Sequence, residues 1–346
     1  NVDTQREQIF FIPLSLYGLI DSELMAIDVL KVQKNLDKES LPILEEYVNF
    51  LIGNELGFYC DSDDLKLFPK LSEEWLYPAH ITNCLVDSNG DIEFLNEHFF
   101  SQLAALCCNH IQVRLFSKIE QDALYPLLNL INDNQIKSLE IVMPLNEYLQ
   151  EERNILHLLE TNRKLKNLII TAAPEYKILK ADDFSGTAIL NDTPIANDLH
   201  CGLVQVEQFS LNVSHYTEAL DHNSSLNRKV AIDTQGNIKN CPSMKDSYGN
   251  IRDTTLIEAI NKPGFKKYWN ITKGEVAKCK DCEFRYVCTD CRAFVDEPGD
   301  MYAAPLKCGY NPYTCEWEEW STNPLKQKGI DHYGLNELIN DRRPLL

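Results

Sequence analysis

Basic residues are scarce in this chain. Over 346 residues, 33 Lys and Arg face 52 Asp and Glu, a net charge of −19. A surface of that sign repels phosphate backbones and anionic lipid headgroups, so neither nucleic acid nor a membrane surface is an expected partner. Long apolar runs are also missing. None approaches the ~20 residues that a spanning helix needs. No signal peptide is visible, although the chain opens at Asn1 and not at Met, and a cytoplasmic location is expected. There is no P-loop, no G-x-G-x-x-G, no G-x-S-x-G elbow and no H-E-x-x-H. The acidic stretches Glu73-Glu74 and Glu316-Trp317-Glu318-Glu319 read as solvated faces, because nothing near them positions a carboxylate for proton transfer.

What is present is enough apolar sequence, 44%, to bury sizeable cores in two or three domains. Residues 1–79 hold a strand over Gln8–Ile12 stopped by Pro13, a helix over Leu14–Ile20 and a helix over Leu41–Ile52. In the last, Leu41, Leu44, Tyr47, Val48 and Leu51 share a face and Pro42 suits the first turn. Gly53 and Gly57 break that helix, and Gly57–Cys60 reads as a short strand. The outline is a small winged-helix-like module.

Residues 80–200 change rhythm. Strands over Ile81–Val86, Ile111–Phe116, Ser138–Pro144 and Leu165–Thr171 alternate with helices over Ile92–Cys108, Gln121–Ile131 and Asn146–Leu159. Alternation of this kind predicts an α/β fold, a parallel sheet with crossover helices that is open or curved into a partial (β/α) barrel. Residues 201–320 are irregular and rich in cysteine, with a hairpin joining Lys229–Asp233 to Asn237–Asn240 through Thr234-Gln235-Gly236. Residues 321–346 read as a surface tail with one short helix near Leu335–Asn340.

Cysteine is unevenly spread. Seven of the twelve lie between Cys241 and Cys315, and Cys201 precedes them. In a large acidic chain this clustering reads as metal ligation, not as a disulfide framework. The central run is Cys279-x2-Cys282-x5-Cys288-x2-Cys291. A C-x-x-C bend turns both thiolates toward one metal, with backbone amides pointing inward at the sulfurs. Zinc and iron–sulfur clusters both accept such ligands. A zinc ribbon places more residues between its two pairs, so five suits two clusters that interleave their ligands. Cys84 and Cys107-Cys108 read as small hydrophobes in a strand and a helix.

With Cys201, Gly236-x4-Cys241 and Cys308 added, the pattern resembles the SPASM domain of radical-SAM peptide maturases. More narrowly it resembles the SPASM-domain maturase of grasp-with-spasm systems. The residues that carry the likeness are His222-Asn223, Asn227-Arg228-Lys229, Ile238–Ser243, Cys282–Tyr286, Asp290–Phe294 and Gly309–Pro312. The likeness covers about Cys201–Trp317, and one spacing departs from it: x2 before Cys291, through Thr289-Asp290, where the family usually has x3. The resemblance implies two [4Fe–4S] clusters. Cys279, Cys282, Cys288 and Cys308 would hold one. Cys201, Cys241 and Cys291 would hold the other, with Cys315, His200, His222, an exogenous thiolate or nothing at the fourth iron. It further implies maturation of a ribosomally made peptide, whose leader pairs as an added strand along Phe10, Phe11 and Ile12, together with an ATP-grasp ligase that forms ester or amide crosslinks.

One part of the family machinery is missing. The radical-SAM triad C-x3-C-x2-C belongs after the first barrel strand, where this chain reads Val86-Asp87-Ser88-Asn89-Gly90-Asp91. S-adenosylmethionine and independent radical catalysis are therefore not expected. The leading expectation is a binding and scaffolding partner in peptide maturation. The alternatives are a redox enzyme or electron carrier with an open cluster, one cluster in place of two, and a zinc protein with one four-cysteine site.

Overall fold

A computed structural model describes residues 2–4 and 6–340, so the last six residues of the expected tail lie outside the described residues. The chain divides into two compact units, residues 1–75 with 210–217 and residues 76–209 with 218–346.

In the first unit β1 (Val2–Asp3) pairs antiparallel with β2 (Gln8–Ile9), followed by α1 (Leu14–Tyr17), α2 (Val29–Asn35) and α3 (Leu41–Gly53). The Asp28 side chain caps α2 by accepting from Lys31 N at 2.9 Å. Pro42 sits in the first turn of α3, where a missing N–H costs nothing. Leu16 and Leu44 are buried, and Phe10 packs edge-on against Phe50 at 6.2 Å. Two expectations need correction. The strand expected over Gln8–Ile12 ends at Ile9, because β1 offers only two residues to pair with, and Phe10, Phe11 and Ile12 follow outside it. Residues 57–60 form no strand. They pair with no strand, and Phe58 and Tyr59 are exposed.

The second unit is built on an eight-stranded sheet. Its members are β3 (Asn83–Ser88), β4 (His110–Leu115), β5 (Ser138–Pro144), β6 (Leu165–Thr171), β7 (Lys177–Lys180), β8 (Thr187–Leu190), β9 (Lys229–Ile232) and β10 (Ile238–Lys239). The spatial order is β10-β9-β3-β4-β5-β6-β8-β7. The six inner strands run parallel, and β10 and β7 add antiparallel at the two ends. The class is thus α/β with a mostly parallel sheet. Parallel strands are covered on both faces and so read as near-continuous apolar runs, which is the pattern of Leu139–Met143 and Leu168–Ile170.

Crossover helices α4 (Glu97–Ala105), α5 (Gln121–Asp133) and α6 (Glu152–Thr161) join the strands. Helix α4 is shorter than expected. Asn96 caps it, its side chain accepting from His98 N and Phe99 N, so Ile92–Leu95 stay outside. Cys107 turns left-handed (φ +56°) and ends the segment. Cys84 and Cys108 are buried in the sheet core, as expected for small hydrophobes, but Cys107 is exposed in the turn after α4. Helices α7 (Val213–Asp221) and α8 (Leu256–Asn261) follow, the second closed by a capping box between Thr255 and Glu258. A smaller core joins Phe294, Leu306 and Trp320 of the cysteine-rich part to Ile330 and Leu335, so residues 321–340 are packed and carry two short helices where a surface tail with one was expected. It is joined there by hairpin β11 (Tyr310–Asn311) and β12 (Glu316–Trp317), then α9 (Gln327–His332) and α10 (Asn336–Asn340). Among the described residues no helix is long and apolar enough to cross a membrane.

Candidate metal centre

All twelve cysteines are free thiols. Seven of the eight from Cys201 onward fall into two neighbourhoods.

The first neighbourhood is Cys279, Cys282, Cys288 and Cys308. Cys279 and Cys308 lie within electrostatic reach of each other, as do Cys282 with Cys279 and Cys288, and Cys288 with Cys308. Lys278 in a left-handed conformation (φ +63°) swings the chain into a short turn over Cys279–Asp281. Cys282 N donates to Cys279 O at 3.0 Å, and Cys288 N donates to Phe284 O at 3.0 Å. Arg285 fastens the far side by donating from Nη1 to Cys282 O at 3.0 Å. Burial pushes the Cys279 thiol up to about 11 and the Cys282 thiol up to about 12, and it raises Cys288 as well.

The second neighbourhood is Cys201, Cys241 and Cys291. Cys241 lies within electrostatic reach of both others, and Cys291 of Cys201. Hairpin β9–β10 delivers Cys241. Asp233 holds its turn by accepting from Gln235 N and Asn237 N, and Gly236 supplies the left-handed residue (φ +82°). Because β9 also pairs with β3, the hairpin is anchored to the sheet. Cys201 follows a turn capped by Asn197. Lys307, only 1% exposed, donates to Cys201 O at 2.6 Å and also to Leu199 O. Gly202 is left-handed (φ +82°), and a Cβ there would stand 2.8 Å from Cys291 Sγ. Burial pushes the Cys241 thiol up to about 12, helped by the charge of Cys201, and raises Cys291.

Between the neighbourhoods runs a buried polar network that the sequence reading passed over. Asp290 accepts from Asn223 Nδ2 at 2.6 Å and Arg292 Nη2 at 2.8 Å, with Lys273 Nζ at 3.8 Å. Burial works against its charge, but Arg292 and Lys273 outweigh that and hold the carboxyl below the usual range. Asp290 is felt by Cys279 and Cys288 on one side and by Cys291 on the other. Lys273 Nζ donates to Cys288 Sγ at 3.2 Å. At the second neighbourhood, Arg114 Nη1 donates to Cys201 Sγ at 2.9 Å.

The remaining proposed ligands are Cys315, His222 and His200. Cys315 is exposed in the turn of hairpin β11–β12, with a left-handed backbone (φ +59°). His222 Nδ1 pairs with Asn270 Oδ1 at 3.1 Å. His200 sits in the capped turn before Cys201. Among the described residues no group of three or more His, Cys, Asp or Glu side chains is arranged to hold a single metal ion.

Comparison with known proteins gave no relative. No protein-family model, no curated protein and no solved structure matches the chain.

Proposed function

We propose that this is an iron–sulfur protein of the SPASM type that takes part in maturing a ribosomally made peptide, binding the precursor and working with an ATP-grasp ligase. One observation supports the reading: two buried cations donate to cysteine sulfurs in separate neighbourhoods, Arg114 Nη1 to Cys201 Sγ at 2.9 Å and Lys273 Nζ to Cys288 Sγ at 3.2 Å. The donor chemistry fits. Buried thiols with raised pKa values stay protonated alone, and a bound metal displaces the proton by taking the thiolate. The resulting negative charge needs compensation inside the fold, which Arg114, Lys273 and Lys307 are placed to supply. Bound there, such clusters would contribute structural crosslinking or one-electron transfer.

In this reading residues 80–200 are a degenerate (β/α) partial barrel, residues 1–79 a winged-helix-like leader-binding module and residues 201–320 a SPASM-like domain. The chain works in the cytoplasm, and without S-adenosylmethionine, since the turn after β3 reads Asn89-Gly90-Asp91 and has no thiol triad. Recognition of the leader rests on exposed apolar side chains of the first unit, among them Phe11, Leu14 and Tyr17. A labelled leader peptide should bind the full chain and lose at least tenfold in affinity with Phe10, Phe11 and Ile12 changed to Ser. Equal binding by that variant overturns the leader role.

The set of three favours a second reading, a redox enzyme or electron carrier with one open iron. Anaerobic spectra of the reconstituted chain, recorded with and without peptide, separate the two. A spectral change on adding peptide supports the open iron, and identical spectra count against it.

A further inference from the structure

Arg114 lies on β4 in register with Asp87 of β3, near the carboxyl ends of two apolar parallel strands. Asp87 is 1% exposed and Arg114 7%. The carboxylate accepts from Nε and Nη2 at 2.7 Å each. A guanidinium is a rigid planar fork, so fixing two donors fixes the direction of the third. That third donor, Nη1, meets Cys201 Sγ at 2.9 Å.

The other set has a counterpart. Lys273 is 5% exposed and donates to Thr289 O at 2.9 Å and Cys288 Sγ at 3.2 Å. Its carboxylate, Asp290, is also bonded to buried Arg292. Two buried cations therefore share one anion beside Cys288. A buried cation in excess is costly unless a further negative charge faces it; the Cys288 thiol now donates to Thr289 O at 2.9 Å, and a Cys288 sulfur made anionic by a bound metal would meet that need.

We propose that Arg114 and Lys273 are positioning residues, one for each cysteine set. Each orients one ligand sulfur through an N–H···S bond and places a cation against the group bound there. Each thereby governs the reduction potential of its own set and not of the other. This rests on the iron–sulfur reading. Reduction adds one electron to the bound group, so a nearby cation and an N–H···S bond favour the reduced form.

The test uses the full chain, reconstituted anaerobically with equal ferrous and ferric iron, sulfide and a thiol, then titrated with dithionite under electron paramagnetic resonance. Cys241→Ala and Cys308→Ala assign each signal to its set. With Arg114→Gln, the signal of the Cys241 set should lose about tenfold in reduced-to-oxidised ratio at a fixed potential, which is 59 mV for one electron. The signal of the Cys308 set should stay in place. With Lys273→Gln the outcome should reverse. Asp87→Asn/Arg114→Gln removes the buried carboxylate along with its partner and stands in if the single variant does not fold. Arg114→Lys should recover part of the shift. Potentials that match the parent chain in these variants, or shifts of equal size in both signals, overturn the inference while leaving the clusters in place. A parent chain that takes up no iron and sulfide overturns the iron–sulfur reading and this inference together.

Discussion

Gly202→Ala tests how closely the segment after Cys201 approaches Cys291. Gly202 has φ +82°, a conformation that costs a residue with a Cβ about 1–2 kcal/mol. The added methyl would stand 2.8 Å from Cys291 Sγ and 3.1 Å from the Phe294 ring. Both neighbours are packed, Phe294 at 3% exposure in the small core, so the methyl is overpacked at a further cost of about 1–3 kcal/mol. The sum, about 2–5 kcal/mol, is below the typical 5–15 kcal/mol stability of a domain. The chain should therefore fold, with Cys291 displaced. Anaerobic iron and sulfide determination should show loss confined to the set of Cys201, Cys241 and Cys291, about half the total if each set holds one [4Fe–4S] unit. Urea unfolding should show a lower midpoint. Full iron with a midpoint unchanged from the parent chain would refute the close approach.

Three further outcomes follow from the geometry. Cys308→Ala and Cys241→Ala should each remove a different part of the iron, and either one removing all of it with the fold intact contradicts the division into two sets. Asp290→Asn leaves Arg292 and Lys273 without a buried carboxylate and should cost about 3–5 kcal/mol in urea unfolding; a change under about 0.5 kcal/mol contradicts the network's role. Glu218 supplies a pH signature. Burial raises its pKa from 4.5 to about 7, even though Asn227 donates to it. The folded chain holds this proton between those values while the unfolded chain has lost it, so stability falls as pH rises from about 4.5 to 7 and stays low above. Glu218→Gln should remove that slope and stabilise the chain more at pH 8 than at pH 5, as read from urea midpoints. Equal effects at both values would place the carboxylate in solvent.

The inner sheet was legible because burial on both faces leaves one signature. The predicted strand over Ser138–Pro144 is β5 to the residue, and Leu165–Thr171 is β6. Strands β7 and β8 were not, since Lys177–Lys180 and Thr187–Leu190 have only four residues each, and half of β7 is lysine. The strand expected at 57–60 failed for the opposite reason: its apolar residues pair with no strand. The C-x-x-C pairs were legible because their spacing is local in sequence. Arg114, Asp87, Lys273 and Asp290 escaped notice. A charge in a pattern reads as solvent-facing, and their pairing exists only across strand register or across loops. One signal was available: Asp87 and Arg114 are opposite charges near the ends of two apolar strands that parallel pairing makes neighbours.

These cysteines are proposed to bind iron and sulfide in two groups. Anaerobic determination of iron, acid-labile sulfide and zinc per chain tests this proposal most directly. About eight iron and eight sulfide per chain, two [4Fe–4S] units, with no stoichiometric zinc, are expected. One zinc per chain without sulfide would contradict it.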